Sequence, residues 1–246
     1  MTTRLNDFDQ PVGAALPDWS GARLPDAPSL QGRYCRLERL SAERHAAGLY
    51  AAYRDAQDAR DWTYLPSGPY DTPEAYHAWL LNAEKQPDPR HYAVIDLTTG
   101  QPVGTVALMR IDVANGVIEV GYVTYSPRMQ RTRLATEVMA LFLRYVFDEL
   151  GYRRFEWKCD ALNAPSCAAA ARFGFTFEGI FRQAIVTRGR NRDTAWYSII
   201  DSEYPALRAA FEQWLAPSNF DANGVQQHKL AQLIAKSRSV CVKASG

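Results

Sequence analysis

The chain has 246 residues, 47% of them hydrophobic and 22% charged, which are ordinary globular values. Lys+Arg 28 against Asp+Glu 27 gives a net charge of +1, so no global field points to nucleic acid or an anionic membrane as a partner, and any positive site must be local. The length suits one domain with extensions. Cys35, Cys159, Cys167 and Cys241 form no CxxC, and His45, His77, His91 and His228 form no HxxxH pair. No metal site is expected, and reduced thiols in a cytoplasmic protein are the simplest reading. The start, "MTTRLNDFDQPVG", lacks the apolar core of a signal peptide, and no apolar run approaches the ~18 residues needed to span a bilayer.

Residues 1–30 carry Pro11, Pro17, Pro25 and Pro28 and read as an extended arm, with Trp19 and Leu24 suited to lie on the body. "GRYCRLERL" alternates like a strand. In "SAERHAAGLYAAYRDA", Ser41 caps a helix that places Ala46, Leu49, Tyr50 and Tyr53 at helical spacing. "DTPEAYHAWLLNAEKQ" starts a second helix, with Asp71 or Thr72 as N-cap and Pro73 at the first helical position. "RHYAVIDLTTGQPVGTVALMRID" reads as two strands turning at Thr99-Gly100, and "GVIEVGYVTYS" as a third.

A long helix follows. Leu134, Val138, Leu141, Phe142, Tyr145 and Val146 share one face, while Met139, Leu143 and Phe147 make a second face apolar, and Gly151 ends it. "YRRFEWKCD" places Phe155, Trp157 and Cys159 on a dry face and Arg154, Glu156, Lys158 and Asp160 on a wet one. "APSCAAAARFG" is a short helix; "FTFEGIFRQAIV" and "DTAWYSIID" are strands joined by "TRGRNR"; "YPALRAAFEQWL" is a helix. Residues 217–246 read as a separate tail containing a short amphipathic helix, "VQQHKLAQLIAK". The order β-α-α-β-β-β-α-β-α-β-β predicts an α+β fold around one sheet, antiparallel over 89–125 and parallel across the β-α-β crossover to 153–160.

"SPRMQRTRLATEVM" places a polar turn between a strand and a helix. The first amides of a helix have no intrahelical partners and carry the positive end of its dipole. The amides of about residues 131–136 could wrap a diphosphate, with Arg131 or Arg133 adding charge. An ordinary surface turn with solvated arginines is the alternative. No GxGxxG or GxxxxGK[ST] motif is present.

Over roughly residues 31–204 the sequence resembles the GNAT N-acetyltransferase superfamily, in the branch of the ribosomal-protein-alanine acetyltransferases and a subgroup with a QRT-x-x-ATE loop. The pieces that carry the resemblance are "EVGYVTYSP", "QRTRLATE", "LGYRRFEWKCDALNAPSCAAAARFGF" and "FRQAIVTRGRNRDTAWYSII". The family's loop runs Q/R-x-x-G-x-G/A; Gln130 and Ala135 fit its ends, and Arg133 replaces a glycine.

The resemblance implies a mixed, mostly antiparallel splayed sheet flanked by helices, with an arm at 1–30, the acetyltransferase domain at 31–205 and a helix and tail at 206–246. It implies acetyl-CoA as co-substrate between the strands at 116–126 and 153–160. The pantetheine would pair with the backbone of Val123, Thr124 and Tyr125. The diphosphate would rest on Gln130, Arg131, Thr132, Arg133, Leu134, Ala135 and Thr136. Asn163 would bind a pantetheine amide or cap its helix, and Arg172 joins the cofactor set. Glu119, in the family's E-x-G-Y strand, is the candidate base; a strand carboxylate facing solvent or paired with an arginine is the alternative. The tyrosine that many members place seven residues after the asparagine is Ala170 here, leaving Ser166 or a bound water as the acid.

The acceptor is an amine, on a small molecule or on a peptide or protein N-terminus. Its pocket is expected among Tyr53, Trp62, Tyr64, Tyr70 and Trp79, between the helices at 42–57 and 72–86 and the strand near 183–187. No nucleic acid or membrane is expected, and a homodimer is left open. "RGRNR" reads as a solvated hairpin turn, and Cys159 as a buried inert thiol. An acyltransferase using a longer acyl-CoA, or a CoA-binding or peptide-binding module without turnover, are the rival readings.

Overall fold

The computed structural model describes residues 3–244; only the backbone is described for residues 3 and 240–244, so the side chain of Cys241 lies outside the described residues. Strands β1 (Thr3–Leu5) and β2 (Pro11–Gly13) pair as a small antiparallel hairpin within the stretch expected to be an unpaired arm. Trp19 docks through its indole N–H on the Ala114 carbonyl at 2.7 Å, whereas Leu24 is exposed.

β3 (Ser29–Gln31) and β4 (Cys35–Arg39) lead into helices α1 (Ala42–Tyr53) and α2 (Pro73–Glu84). Ser41 and Thr72 cap these two helices with their hydroxyls, each accepting from the third amide on. Strands β5 (Arg90–Asp96), β6 (Pro102–Asp112) and β7 (Val117–Tyr125) form the antiparallel meander. Then come α3 (Arg133–Arg144), β8 (Arg154–Asp160), α4 (Ala164–Arg172), the hairpin of β9 (Thr176–Thr187) and β10 (Arg190–Ile200), α5 (Tyr204–Leu215) and α6 (Leu230–Ala244). α3 runs into a wider π-type turn at Tyr145–Glu149.

Eight strands form one sheet in the order β3-β4-β5-β6-β7-β8-β10-β9, and only β7 with β8 is parallel. The fold is therefore α+β with a mixed, mostly antiparallel sheet. Period-2 alternation divides its two faces. On β5, Tyr92 and Val94 enter the main core with Val138, Met139 and Phe142 of α3, while Ala93 and Ile95 pack with Leu49 of α1 and Leu80 of α2.

The C-terminal residues are not a separate tail. Leu230, Leu233 and Ile234 of α6 are buried in the main core. The segment before α6 is knotted around Asn219, whose amide donates to the carbonyls of Trp214 (3.0 Å) and His228 (3.2 Å) and whose oxygen accepts from the His228 amide (2.9 Å). Among the described residues no helix is long and apolar enough to cross a membrane.

Candidate active site

β7 and β8 pair only from Val117↔Arg154 to Val120↔Trp157, yet the strands run on to Tyr125 and Asp160. Beyond Val120 the two strands are splayed. A bulge helps to open them. The β6–β7 register jumps from Ala107↔Gly121 to Thr105↔Thr124, and Tyr122 adopts φ +49°. A non-glycine residue there carries about 1–2 kcal/mol of strain, which the neighbouring ladder bonds must hold. Val123, Thr124 and Tyr125 thus line one side of the gap; the Thr124 carbonyl accepts from the Tyr53 hydroxyl at 3.0 Å.

The turn after β7 delivers the chain to α3. Gln130 does not face the helix start: its amide donates to the Tyr125 carbonyl and to Asp61, both at 2.8 Å. Arg131 sits at φ +60°. Thr132 is the N-cap, but its hydroxyl turns back to the Met129 carbonyl at 2.7 Å, so α3 has no side-chain cap and no acid in its first turn. By contrast, Asn163 caps α4 through the Ser166 amide at 3.2 Å. The open amides of α3 are a physical fit for an anion.

Arg131 to Thr136 form one wall of a cavity of about 880 Å³, faced by Arg172 of α4 and by Trp214, Phe220 and Gln226 from the C-terminal segment. No Asp or Glu lines it. Arg172 donates to the Thr136 hydroxyl at 3.0 Å. Arg133 carries its guanidinium carbon over Phe220, 3.9 Å from the ring centre, with the Tyr34 ring centre 5.5 Å away. Glycine is replaced here without crowding the helix start, because the arginine side chain leans away onto aromatic rings.

On the opposite sheet face, Glu119 is 2% exposed and is not free to act as the expected base. Arg110 grips both of its oxygens, at 2.7 and 2.6 Å, and Lys158 lies at 3.1 Å. Of the alternatives the sequence left open, the arginine pair is the one formed. A second bulge, with Arg110 at φ +48°, aims the guanidinium there, and Asp88 accepts the amides of Arg110 and Ile111 at 3.0 Å each. The ion pairs continue through Lys158–Glu156, Arg154–Glu156 and Arg154–Glu178. This corrects the wet face expected for β8: the Glu156 and Lys158 side chains are dry because each has a charged partner.

Ser166 accepts from the Trp157 indole N–H at 3.0 Å, which leaves its own proton available to donate. Cys159 and Cys167 are unbridged with sulfurs 3.6 Å apart, and burial pushes the Cys159 thiol up to about 12, as suits an inert thiol. Tyr53, Trp62, Tyr70 and Trp79 gather with Tyr50 and Tyr76 between α1, α2 and the sheet. Tyr64 reaches the Leu162 carbonyl at 3.1 Å. The loop between α1 and α2 is held over the gap. Arg128 grips Asp55 at 2.6 Å, Arg190 donates to the Thr63 carbonyl at 2.9 Å, and Arg188 donates to the Trp62 and Gly68 carbonyls. The basic hairpin turn is exposed, as expected of a solvated loop, and two of its arginines also reach the α1–α2 loop.

His91, 4% exposed, stacks edge-on with Trp79 and Tyr122, and its Nδ1 has no partner among the described residues. Burial lowers its pKa to about 4, with Arg39 adding in the same direction. The unfolded chain then binds the proton first, so stability is full above about 6.5 and falls as pH drops toward 4. Unfolding free energy should fall by about 2 kcal/mol between pH 7 and 5 from this group, and His91→Phe should remove most of that slope in denaturant titrations.

Arg110, Lys158, Trp214 and Phe220 escaped the sequence reading. Arg110 sits in a bulge that no alternation shows. Phe220 meets Arg133 only through tertiary packing.

The family described as acetyltransferase (GNAT) domain matches residues 35–176. A GCN5-related N-acetyltransferase from Brucella melitensis superposes with TM-score 0.87 at 49% identity, covering 89% of this chain and 100% of that one. The putative ribosomal N-acetyltransferase YdaF of Bacillus subtilis is 25% identical over 68% of this chain and 90% of its own length. The uncharacterized N-acetyltransferase p20 of Bacillus licheniformis is 28% identical over 46% of this chain, a match spanning 63% of that protein. The microcin C7 self immunity acetyltransferase MccE, solved with acetyl-CoA and AMP, shares the fold at TM-score 0.57 and 19% identity, covering 69% of this chain and 93% of that one. With its splayed parallel pair and uncapped helix start, the chain belongs to the GNAT family of acetyltransferases.

Proposed function

We propose that the protein moves an acetyl group from acetyl-CoA to a primary amine, by direct transfer with both substrates bound. The observation that carries this reading is the gap between β7 and β8, where each strand continues after pairing has stopped at Val120↔Trp157. An extended pantetheine can occupy it like an added strand against Val123, Thr124 and Tyr125. The diphosphate would rest on Arg131, Thr132, Arg133, Leu134, Ala135 and Thr136, with Arg172 beside them. Gln130 and Asn163 serve this site indirectly, Gln130 by tying the turn to the α1–α2 loop and Asn163 by capping α4.

Acetyl-CoA supplies the thioester: the transfer breaks its C–S bond, forms a C–N bond, and requires one proton to leave the amine and one to reach the thiolate. Ser166 is the proposed donor to the thiolate: its oxygen accepts from Trp157, its O–H can turn to the sulfur, and water restores the proton it gives. Glu119 is proposed as a positioning residue. It fixes Arg110 and Lys158 on the open face, and the amine's proton leaves to water. The acceptor amine, small or at a peptide or protein N-terminus, enters from this face beside the aromatic cluster.

Glu119→Gln should lower kcat/KM about tenfold and leave the acid limb of the pH–rate profile where it was. The check is thiol release over a panel of amines at several pH values. A displaced acid limb would make Glu119 the titrating base after all, and absence of amine-dependent thiol release from the unaltered protein would sink the transferase reading.

A further inference from the structure

The cavity at the start of α3 has a wall that lies outside the matched family domain. It is built by the segment from Trp214 to Gln226, and that segment is structured for its own sake. Trp214 donates its indole N–H to Gln226 at 2.8 Å and packs edge-on against Phe220 at 5.1 Å. Phe220 in turn bridges to Gln226. The loop so formed presents one ring face to Arg133.

Charge makes this wall informative. Several arginines elsewhere pair with acids, as in Arg36–Glu38, Arg128–Asp55 and Arg208–Asp148, and others, such as Arg188 and Arg190, donate to backbone carbonyls. Arg131, Arg133 and Arg172 have no carboxylate partner among the described residues, and the cavity they share has no acidic lining. Arg131 is exposed, but Arg133 and Arg172 are partly buried, and two unpaired guanidinium groups in one recess are costly unless an anion joins them. CoA carries three phosphate groups, two in its diphosphate and one on the ribose 3′ oxygen. The open amides of α3 suit the diphosphate. The third phosphate needs a separate cation. Arg172 is turned to Thr136 and Arg131 sits at the exposed turn, whereas Arg133 leans from the helix start onto the C-terminal wall. No hydrogen bond or ion pair among the described residues engages the Arg133 N–H groups, which are therefore open to take a phosphate.

We propose that the segment from Trp214 to Gln226 completes the nucleotide end of the site, with Phe220 and Tyr34 holding the Arg133 guanidinium as receptor for the ribose 3′-phosphate of CoA. Arg133 is then a ligand-binding residue and Phe220 a positioning residue. This rests on the acetyl-CoA reading above.

The test is calorimetric titration of the full chain with CoA and with 3′-dephospho-CoA. The unaltered protein should bind CoA about tenfold more tightly, the worth of one charge-assisted phosphate contact. Arg133→Gln and Phe220→Leu should each bring that ratio to about two or less, whatever either substitution does to the affinity for 3′-dephospho-CoA itself. Gln226→Ala, which unties the wall from Trp214, is the substitute for Phe220→Leu should that variant not fold. Equal binding of the two ligands by the unaltered protein, or a tenfold ratio kept by the folded variants, overturns this inference and leaves the acetyl-CoA reading standing. Binding of neither ligand at millimolar concentration removes both.

Discussion

Replacing Glu137 with alanine should lower the unfolding free energy by about 3–5 kcal/mol, a large share of the usual 5–15 for a native domain. The carboxylate is 4% exposed and accepts three backbone amides, from Arg33, Tyr34 and Cys35, each at 2.7 Å. It rises from the first turns of α3 and fastens the chain just ahead of β4. Truncation would strand three donors, and each unmet buried donor costs about 1–3 kcal/mol. Gly32 shows how tight the clamp is: a Cβ there would stand 2.5 Å from the Glu137 carboxylate. Chemical denaturation of the pair at neutral pH checks this, and a loss below about 1 kcal/mol would contradict the clamp. Function should suffer too, because Tyr34, fixed by the same carboxylate, supplies one of the two rings against Arg133.

The second large effect separates binding from stability. Ala135→Glu places a carboxylate in the first turn of α3, where the helix dipole favours it by about 0.3–1 kcal/mol. Ala135 is partly buried against the main core, so this gain offsets the packing lost there, and the melting temperature should move by only a few degrees. The same carboxylate would face the diphosphate across a few ångströms. At an effective dielectric near 20 and a spacing of about 5 Å, that repulsion is about 3 kcal/mol, or roughly a hundredfold in the dissociation constant of acetyl-CoA. Calorimetry and thermal unfolding on one sample decide it. An unchanged dissociation constant in a folded variant would place the phosphates elsewhere.

Much of the architecture could be read from local chemistry. Ser41 and Thr72 announce helix starts because a hydroxyl caps an amide three residues on, and Pro73 cannot donate where no donor is needed. The two-faced apolar spacing of α3 requires burial on more than one side, and the sheet supplies it. The β-α-β order from β7 to β8 requires the one parallel pair, and the gap follows from it. The loop motif was legible as the turn into a helix, and the structure places the start of α3 at Arg133.

What escaped was set by long-range packing. The bulges at Tyr122 and Arg110 cost strain that only the assembled sheet can hold, so no pattern of alternation foretells them. Glu156 and Lys158 look like solvent-facing residues until Glu119 arrives from β7 and Arg154 turns along β8 itself. Arg188 and Arg190 are exposed, and their reach to the α1–α2 loop is set only when that loop is folded beside them. The tail looked separate because its partners, Arg133 and Trp214 among them, are defined only by the closed structure.

The most direct measurement incubates the protein with acetyl-CoA and a panel of amines, from small primary amines to peptides with free N-termini, and follows thiol release together with product mass. The account predicts thiol release that depends on the amine, one acetyl group gained per thiol on the amine nitrogen, and no lasting acetyl adduct on the protein. Thiol release without an acetylated amine, or an acetyl-protein intermediate that forms before the amine is added, would contradict direct transfer.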